Sequence, residues 1–159
     1  MNINIICIGK LKEKYWQAAV AEYTKRIGGY ARIQIVELKE SKLPKNASSA
    51  DESQVMEKEG ETILSKIGES DYVIAMEVEG KMLDSVELSR HLTKTFDSGR
   101  STVDFIIGGS LGLSPAVKKR ADFGLSFSRM TFPHQMARVL LLEQIYRSFK
   151  IANNETYHK

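Results

Sequence analysis

The order of apolar and polar positions along the chain predicts strands that alternate with helices. Apolar or alternating runs of strand length lie at residues 3–9, 32–38, 71–78, 102–108 and 123–128. Helical periodicity is clearest at residues 12–27, 85–96 and 133–151. This alternation is typical of an α/β fold in which a mainly parallel sheet is covered by helices on both faces. No repeat or linker divides the chain, so residues 1–159 are expected to form one domain.

Residues with positional preferences predict two further helix starts and a turn. Ser49 or Asp51 is expected to cap a second helix, and Ser114 followed by Pro115 is the favoured start of a short fourth one. The Glu-Gly-Lys sequence at 79–81 predicts a turn directly after the third strand.

The last helix carries more apolar surface than one core requires. Its sequence ARVLLLEQIYRSF, residues 137–149, is apolar around most of its circumference. The helix is therefore either central in the fold or buries a second face against another copy of itself. On this ground we expect a homodimer.

Composition places the chain among ordinary globular proteins, because 42% of its residues are hydrophobic and 27% are charged. No apolar run is long enough to span a bilayer, and MNINIICIGK is expected to be a first strand and not a signal peptide. We therefore expect no membrane partner and a cytoplasmic location. Cys7, the single cysteine, lies in that strand and is expected to be a buried thiol.

Positive charge is unevenly distributed, although the formal net charge is only +3. Three lysines follow the first strand: Lys10, Lys12 and Lys14. From residue 118 onward, the basic residues Lys118, Lys119, Arg120, Arg129, Arg138, Arg147, Lys150 and Lys159 face only the acids Asp122, Glu143 and Glu155. This asymmetry permits a polyanionic partner, but solvated surface lysines are an equally simple interpretation.

A glycine-rich loop follows the fourth strand, where ligands bind in open α/β sheets. Within GGSLGL, the glycines Gly108, Gly109 and Gly112 would let backbone amides and carbonyls touch a flat ligand. The alternative is a tight turn whose glycines serve only packing.

Several chemistries are excluded by what the sequence lacks. The loop has no lysine for a phosphate-binding P-loop, and the dinucleotide fingerprint is not present. The histidines His91, His134 and His158 are scattered without metal-ligand spacing, so we expect no metal site. His91, placed among charged residues, is expected to be exposed to solvent.

A second polar segment lies between the last strand and the last helix. It contains Ser126, Ser128, Arg129 and Thr131. If the last two strands are neighbours, this segment and the glycine loop face one pocket. Hydroxyl groups, open backbone and one arginine suit a nucleoside-like ligand that is bound largely by main chain.

Together the motifs GGSLGL, LSFSRMTFPHQMARVLLLEQIYRSFKI, the terminal YHK and the opening IICIGKLKEKYW resemble the ribosomal large-subunit methyltransferase H family, a branch of the SPOUT methyltransferases. The resemblance covers the whole chain. It departs at Thr156, where proline is more usual, and at Met76, where leucine is common. It implies a C-terminal trefoil knot and an obligate dimer whose sites are completed across the interface. It further implies transfer of a methyl group from S-adenosylmethionine to N3 of a pseudouridine in a 23S rRNA stem-loop on the assembled ribosome.

The resemblance also implies roles for individual residues. The implied cofactor-binding residues are Met76, Gly108, Gly109, Phe127, Ser128, Arg129, Met130, Thr131 and Phe132. In the tail, Tyr157 would stack on the flipped base, His158 would act as base and Lys159 would steady phosphate or developing charge. A frayed terminus is the alternative for the tail.

The basic residues are expected to contact RNA. These residues are Lys10, Lys12, Lys14, Arg138 and Arg147, although the dimer partner is an alternative target for the two arginines. Glu143 is expected to pair with one of these arginines across the interface.

Two other functions are compatible with the composition. A non-enzymatic ribosome-associated RNA-binding factor would have no affinity for S-adenosylmethionine. A regulatory module for an adenine nucleotide would instead be stabilised by ATP or AMP.

Overall fold

The structure is a computed structural model that describes all 159 residues, Met1–Lys159. Five strands alternate with five helices: β1 (Asn2–Ile8), α1 (Lys14–Ile27), β2 (Arg32–Leu38), α2 (Ser49–Leu64), β3 (Tyr72–Met82), α3 (Ser85–Asp97), β4 (Thr102–Ile107), α4 (Pro115–Arg120), β5 (Phe123–Ser126) and α5 (His134–Ala152). All neighbouring strands pair in parallel, in the order β2-β1-β4-β3-β5. The predicted α/β class is confirmed, and the trefoil knot stays a prediction.

The alternation of side chains along β1 explains why both faces of the sheet are covered. Ile3, Ile5 and Cys7 point into the larger core cluster, with residues of α1, α3 and α5. Ile6 and Ile8 point into the second cluster, with residues of α2 and α4. Because successive side chains of a strand point to opposite faces, an almost continuous apolar run is what a strand between two helix layers requires.

Helix α5 is central in the larger core, where it packs against α1 and α3. Its side chains Leu141, Leu142 and Ile145 are fully buried within the single chain. Central packing therefore accounts for much of the apolar character of this helix, and the homodimer stays a prediction. No helix of the chain is both long enough and apolar enough to cross a membrane.

Strand β3 is longer than expected, and the turn predicted at 79–81 is wrong. Met76 and Lys81 both align with Leu125 of β5, so residues 77–80 form a bulge within a continuing strand. A Cβ atom on Gly80 would lie 2.7 Å from the Leu125 carbonyl carbon. This glycine thus permits close packing against β5 and does not turn the chain.

The second helix starts at a different cap from the two that were predicted. Ser48 is the N-cap: its hydroxyl accepts a hydrogen bond from the Asp51 amide at 3.2 Å, and the Asp51 carboxylate accepts one from the Ser48 amide at 2.8 Å. This reciprocal pair is a capping box, in which Asp51 is the third helical residue. The predicted cap at Ser114, with Pro115 behind it, is confirmed.

Candidate active site

A cavity of about 870 Å³ lies beyond the carboxyl ends of β3, β4 and β5. Three segments form most of its wall: the β3 bulge, the glycine loop after β4, and the segment that connects β5 to α5. The last two segments share one pocket, as predicted from the sequence. This is the edge at which parallel sheets bind ligands, because loops and helix starts meet there.

The glycine loop folds back on itself so tightly that side chains are excluded from it. Gly109 and Gly112 form a bridge, and the Gly112 amide donates to the Gly109 carbonyl at 3.1 Å. Gly112 has a φ of +83°, and a Cβ atom on Gly108 would lie 2.8 Å from the Gly112 carbonyl carbon. The loop therefore presents bare backbone to the cavity, as a flat ligand requires.

Glu59, on α2, supports the glycine loop from outside the cavity. Its side chain is buried, and Oε1 accepts a hydrogen bond from the Ser41 amide at 2.9 Å. Oε2 lies 3.1 Å from the point where a Cβ of Gly109 would stand. Desolvation by burial raises the pKa of this carboxyl group. Nothing in the sequence distinguishes Glu59 from the exposed acids beside it, so sequence reasoning missed it.

Eight of the nine residues predicted to bind the cofactor line the cavity: Met76, Gly108, Gly109, Phe127, Ser128, Met130, Thr131 and Phe132. Ser128 shapes the β5–α5 segment, because its hydroxyl accepts from the Met130 amide at 3.1 Å and its carbonyl accepts from the Ser126 hydroxyl at 3.0 Å. Arg129 is the exception: it is exposed, outside the cavity lining and free of hydrogen bonds. Contact of these residues with a cofactor stays a prediction.

Charged groups on the cavity wall form a cluster that the sequence did not indicate. Lys118 Nζ lies 3.4 Å from Glu77 Oε2 and 4.0 Å from Glu79 Oε2, joining α4 to the β3 bulge. Glu77 is half-buried, whereas Glu79 is exposed. These acids place negative charge beside the bare backbone of the glycine loop.

His134, the first residue of α5, also lines the cavity. Its Nε2 lies 3.7 Å from the position that a Cβ on Gly9 would occupy, so it packs directly over the end of β1. Gly9 has a φ of +86°, which favours glycine at this close approach.

Arg138 cannot contact RNA as predicted, because its side chain is only 1% exposed. The guanidinium donates to the carbonyl groups of Ile8 at 3.1 Å and Gly9 at 2.7 Å, and to Glu37 Oε2 at 3.0 Å. These carbonyls end a strand, where the sheet ladder offers no further donors. The arginine therefore joins α5 to the ends of β1 and β2.

The C-terminal tail folds back onto α5. The Tyr157 hydroxyl donates to Glu143 Oε1 at 3.1 Å, and its ring contacts Tyr146 edge-on with a centroid distance of 4.9 Å. The Arg147 guanidinium lies 4.6 Å from the centre of the Tyr157 ring and bonds Glu143 Oε1 through Nε at 3.0 Å. Glu143 thus pairs with Arg147 within one chain, and the pairing across an interface stays a prediction.

The same arginine orients His158, since Arg147 Nη1 lies 3.4 Å from His158 Nδ1. A guanidinium can only donate, so Nδ1 is the acceptor in this contact and Nε2 is the ring nitrogen that carries a hydrogen. His158 then presents an N–H donor on its exposed side. No residue of the tail lines the cavity, and Lys159 is exposed.

Two further sequence predictions concern the histidines. His91 is half-buried and not solvent-exposed: its Nε2 lies 3.1 Å from the Tyr72 hydroxyl and its ring packs on Phe123. Burial lowers the pKa of His91, with Lys81 and Lys94 acting in the same direction.

No three His, Cys, Asp or Glu side chains lie together in a way that could hold a metal ion.

Comparisons with known proteins show the family of this chain and a shared fold. Residues 1–158 match the family model described as a predicted SPOUT methyltransferase. The chain is 52% identical to a ribosomal RNA large subunit methyltransferase H of Clostridium kluyveri and 54% identical to that of Clostridium botulinum, each over 159 residues and the full length of both chains. A probable methylase family protein from Haemophilus influenzae shares the fold with a TM-score of 0.54 at 13% identity, over 99% of this chain and 70% of that one.

Proposed function

This chain belongs to the SPOUT methyltransferase family, and on that premise we propose that it methylates N3 of a pseudouridine in a 23S rRNA stem-loop on the assembled ribosome. The methyl donor is S-adenosylmethionine. The observation that carries the proposal is the bare-backbone cavity beyond the carboxyl ends of β3, β4 and β5. A ribosomal substrate places the activity in the cytoplasm.

The cavity suits an adenosyl group in both shape and chemistry. The glycine loop and most of the Phe127–Phe132 segment both line the cavity, so a flat purine can contact exposed backbone and apolar side chains there. Glu77 and Glu79 favour the positive charges of a sulfonium and an α-amino group. The width of the site depends on Gly108 and Gly109, since a Cβ on either would press on neighbouring atoms.

The glycine loop and the Phe127–Phe132 segment would hold S-adenosylmethionine, which would supply a methyl carbon bonded to a positively charged sulfur and would leave as S-adenosylhomocysteine. The chain's contribution is to hold the base in line with that methyl group and to stabilise the imide as its N3 proton passes to water. Positioning of this kind is worth roughly 7 to 11 kcal/mol in favourable cases. No covalent protein nucleophile is required.

The tail residues reach such a site only from a second copy of the chain. Within one chain, the residues that hold the tail lie away from the cavity: Arg147 follows Ala137, the last residue of α5 that lines the cavity, by ten positions, about 15 Å at 1.5 Å per residue. A homodimer in which the tail of one copy completes the cavity of the other brings these elements together.

In that composite site His158 acts as a hydrogen-bond donor and not as the base. Arg147 occupies Nδ1, so the Nε2–H of His158 donates to an imide carbonyl oxygen on which negative charge develops. Tyr157, fixed by Glu143 and Arg147, offers an aromatic face to the extruded base. Lys159 remains available to a phosphate.

The decisive experiment is to incubate the protein with methyl-labelled S-adenosylmethionine and ribosomes from a strain that lacks the modification, and then to map the label. Label on N3 of one pseudouridine is expected. Binding of S-adenosylmethionine without label would point to another RNA substrate. Ribosome binding without affinity for S-adenosylmethionine would indicate the non-enzymatic factor, and stabilisation by ATP or AMP alone would indicate the nucleotide-binding module.

A further inference from the structure

We propose that the start of α1 is a docking surface for an unpaired nucleotide of the substrate RNA, with Tyr15 as its stacking platform and Lys10, Lys12 and Lys14 as its phosphate contacts. This basic aromatic surface, as we call these four residues, lies outside the cofactor cavity. The inference rests on the proposed function, because it assumes that the substrate is RNA.

Most of the Tyr15 side chain is exposed, so its ring contributes little to the packing of the chain. Its exposed fraction is 65%, whereas the neighbouring Trp16 is half-buried. The two ring centroids lie 5.2 Å apart at an interplanar angle of 58°. Trp16 thus supports one side of the tyrosine ring and leaves the other side open. An aromatic face held in this way stacks on any nucleobase, with a contribution of about ten-fold in affinity.

Three lysines precede this ring in the sequence, and none of them is neutralised by an ion pair. Lys10, Lys12 and Lys14 are all exposed, and none of them forms an ion pair. The acid between them, Glu13, has a buried Oε2 atom that faces no solvent. Glu37, the next acid nearby, is already bound by Arg138. The surface therefore attracts a polyanion, and charge complementarity favours RNA over an apolar protein partner.

The surface is held rigidly to the cofactor cavity. The Leu11 amide donates to Glu37 Oε2 at 2.9 Å, the same oxygen that accepts from Arg138, and Gln17 Nε2 donates to the Leu11 carbonyl at 2.8 Å. Gly9, directly before Lys10, lies against His134 in the cavity wall. A nucleotide stacked on Tyr15 is thereby fixed relative to the site where the methyl group is transferred, and a preformed surface binds at low ordering cost.

The test measures methylation of unmodified ribosomes at saturating S-adenosylmethionine while ribosome concentration is varied. Tyr15→Ala is expected to raise KM for ribosomes about ten-fold with kcat unchanged, and Tyr15→Phe, which keeps the ring face, is expected to restore it. Lys12→Ala is expected to reduce the slope of log KM against log salt by about one, whereas Lys94→Ala on the distant end of α3 leaves it unchanged.

Two outcomes would overturn the proposal. The first is a wild-type KM for Tyr15→Ala in a preparation whose unsubstituted protein methylates ribosomes. The second is a change of oligomeric state of Tyr15→Ala in size-exclusion chromatography with light scattering, which would assign the ring to a contact between copies. Failure of the proposed function itself is distinguishable, because the unsubstituted protein would then incorporate no label.

Discussion

Gly108 shows how much a single methyl group matters at the cavity wall. A Cβ there would lie 2.8 Å from both the carbonyl carbon and the carbonyl oxygen of Gly112, which is backbone and cannot move aside. Gly108→Ala is therefore expected to weaken S-adenosylmethionine binding at least ten-fold by isothermal titration calorimetry. Gly29→Ala is the matched control, because its added Cβ meets only an ordinary 3.7 Å contact. Equal affinities for the two variants would remove the loop from the binding site.

Asp104 is a buried carboxyl group that makes stability depend on pH. Its Oδ1 accepts from Asn4 Nδ2 at 2.7 Å, while its buried Oδ2 has no partner. Burial, opposed by the Asn4 hydrogen bond and reinforced by nearby Asp71, raises the pKa of Asp104 from 3.8 to about 6. The native state therefore binds more protons than the unfolded state between about pH 4 and pH 6, and the free energy of unfolding falls as pH rises through this window.

Asp104→Asn is expected to remove that decline and to stabilise the protein at pH 7 by about 2–3 kcal/mol, since one pKa unit corresponds to about 1.4 kcal/mol. Urea denaturation from pH 4 to pH 8 measures both effects. Asp97→Asn, at the exposed end of α3, is the control. An unchanged slope in Asp104→Asn would assign the pH dependence to other groups.

At the scale of elements, the tail and α5 act as one unit, because Glu143 and Arg147 position the tail residues. Substitutions at His158 can distinguish a hydrogen-bond donor from a proton acceptor. A donor role for His158 predicts that His158→Gln, whose amide nitrogen replaces Nε2–H, keeps more than a tenth of kcat, whereas His158→Ala loses about a hundred-fold. Single-turnover methylation at saturating cofactor measures this. Equally inactive variants would instead support a proton-accepting histidine.

Sequence patterns were most informative where one local preference decides the structure. The alternation of strands with helices predicted a sheet with two covered faces, and Ser114-Pro115 predicted a helix start, because these patterns are visible in short stretches of the sequence. The β3 bulge was missed because Gly80 serves contact with β5, which is distant in sequence. The burial of Arg138 was missed for the same reason: its partners, Gly9 and Glu37, lie about a hundred residues or more away.

In the candidate site, too, local features were predictable from the sequence and contacts between distant segments were not. Its backbone walls follow from glycines and hydroxyl residues that are visible in the sequence, and eight of nine predicted residues line the cavity. Its supports, Glu59 and the Lys118–Glu77 pair, depend on helices α2 and α4 meeting the glycine loop and the bulge. The periodicity of a single segment gives no information about such contacts between elements.

At the scale of the whole molecule, the proposed composite site predicts that activity is a property of the pair of chains. Gly108→Ala damages the cavity, and His158→Ala damages the tail, so each homodimer is expected to be weakly active. Mixing the two variants after subunit exchange is expected to restore about one intact site per heterodimer, formed by the sound cavity of one chain and the sound tail of the other. Methyl incorporation by the mixture measures this, with each variant alone as control. No recovery in verified heterodimers would place cavity and tail in the same chain.

Because Cys7 is buried, the reactivity of its thiol reports how often the strands of the sheet separate. The thiol is fully buried near the carboxyl end of β1, and burial raises its pKa to about 11, so it stays neutral and shielded in the native state. A thiol-specific dye can label it only in molecules in which β1 has separated from its neighbours β2 and β4. The labelling rate therefore measures how often the sheet opens at β1. A slower rate on addition of S-adenosylmethionine would show how much ligand binding at the carboxyl edge of the sheet stabilises this strand.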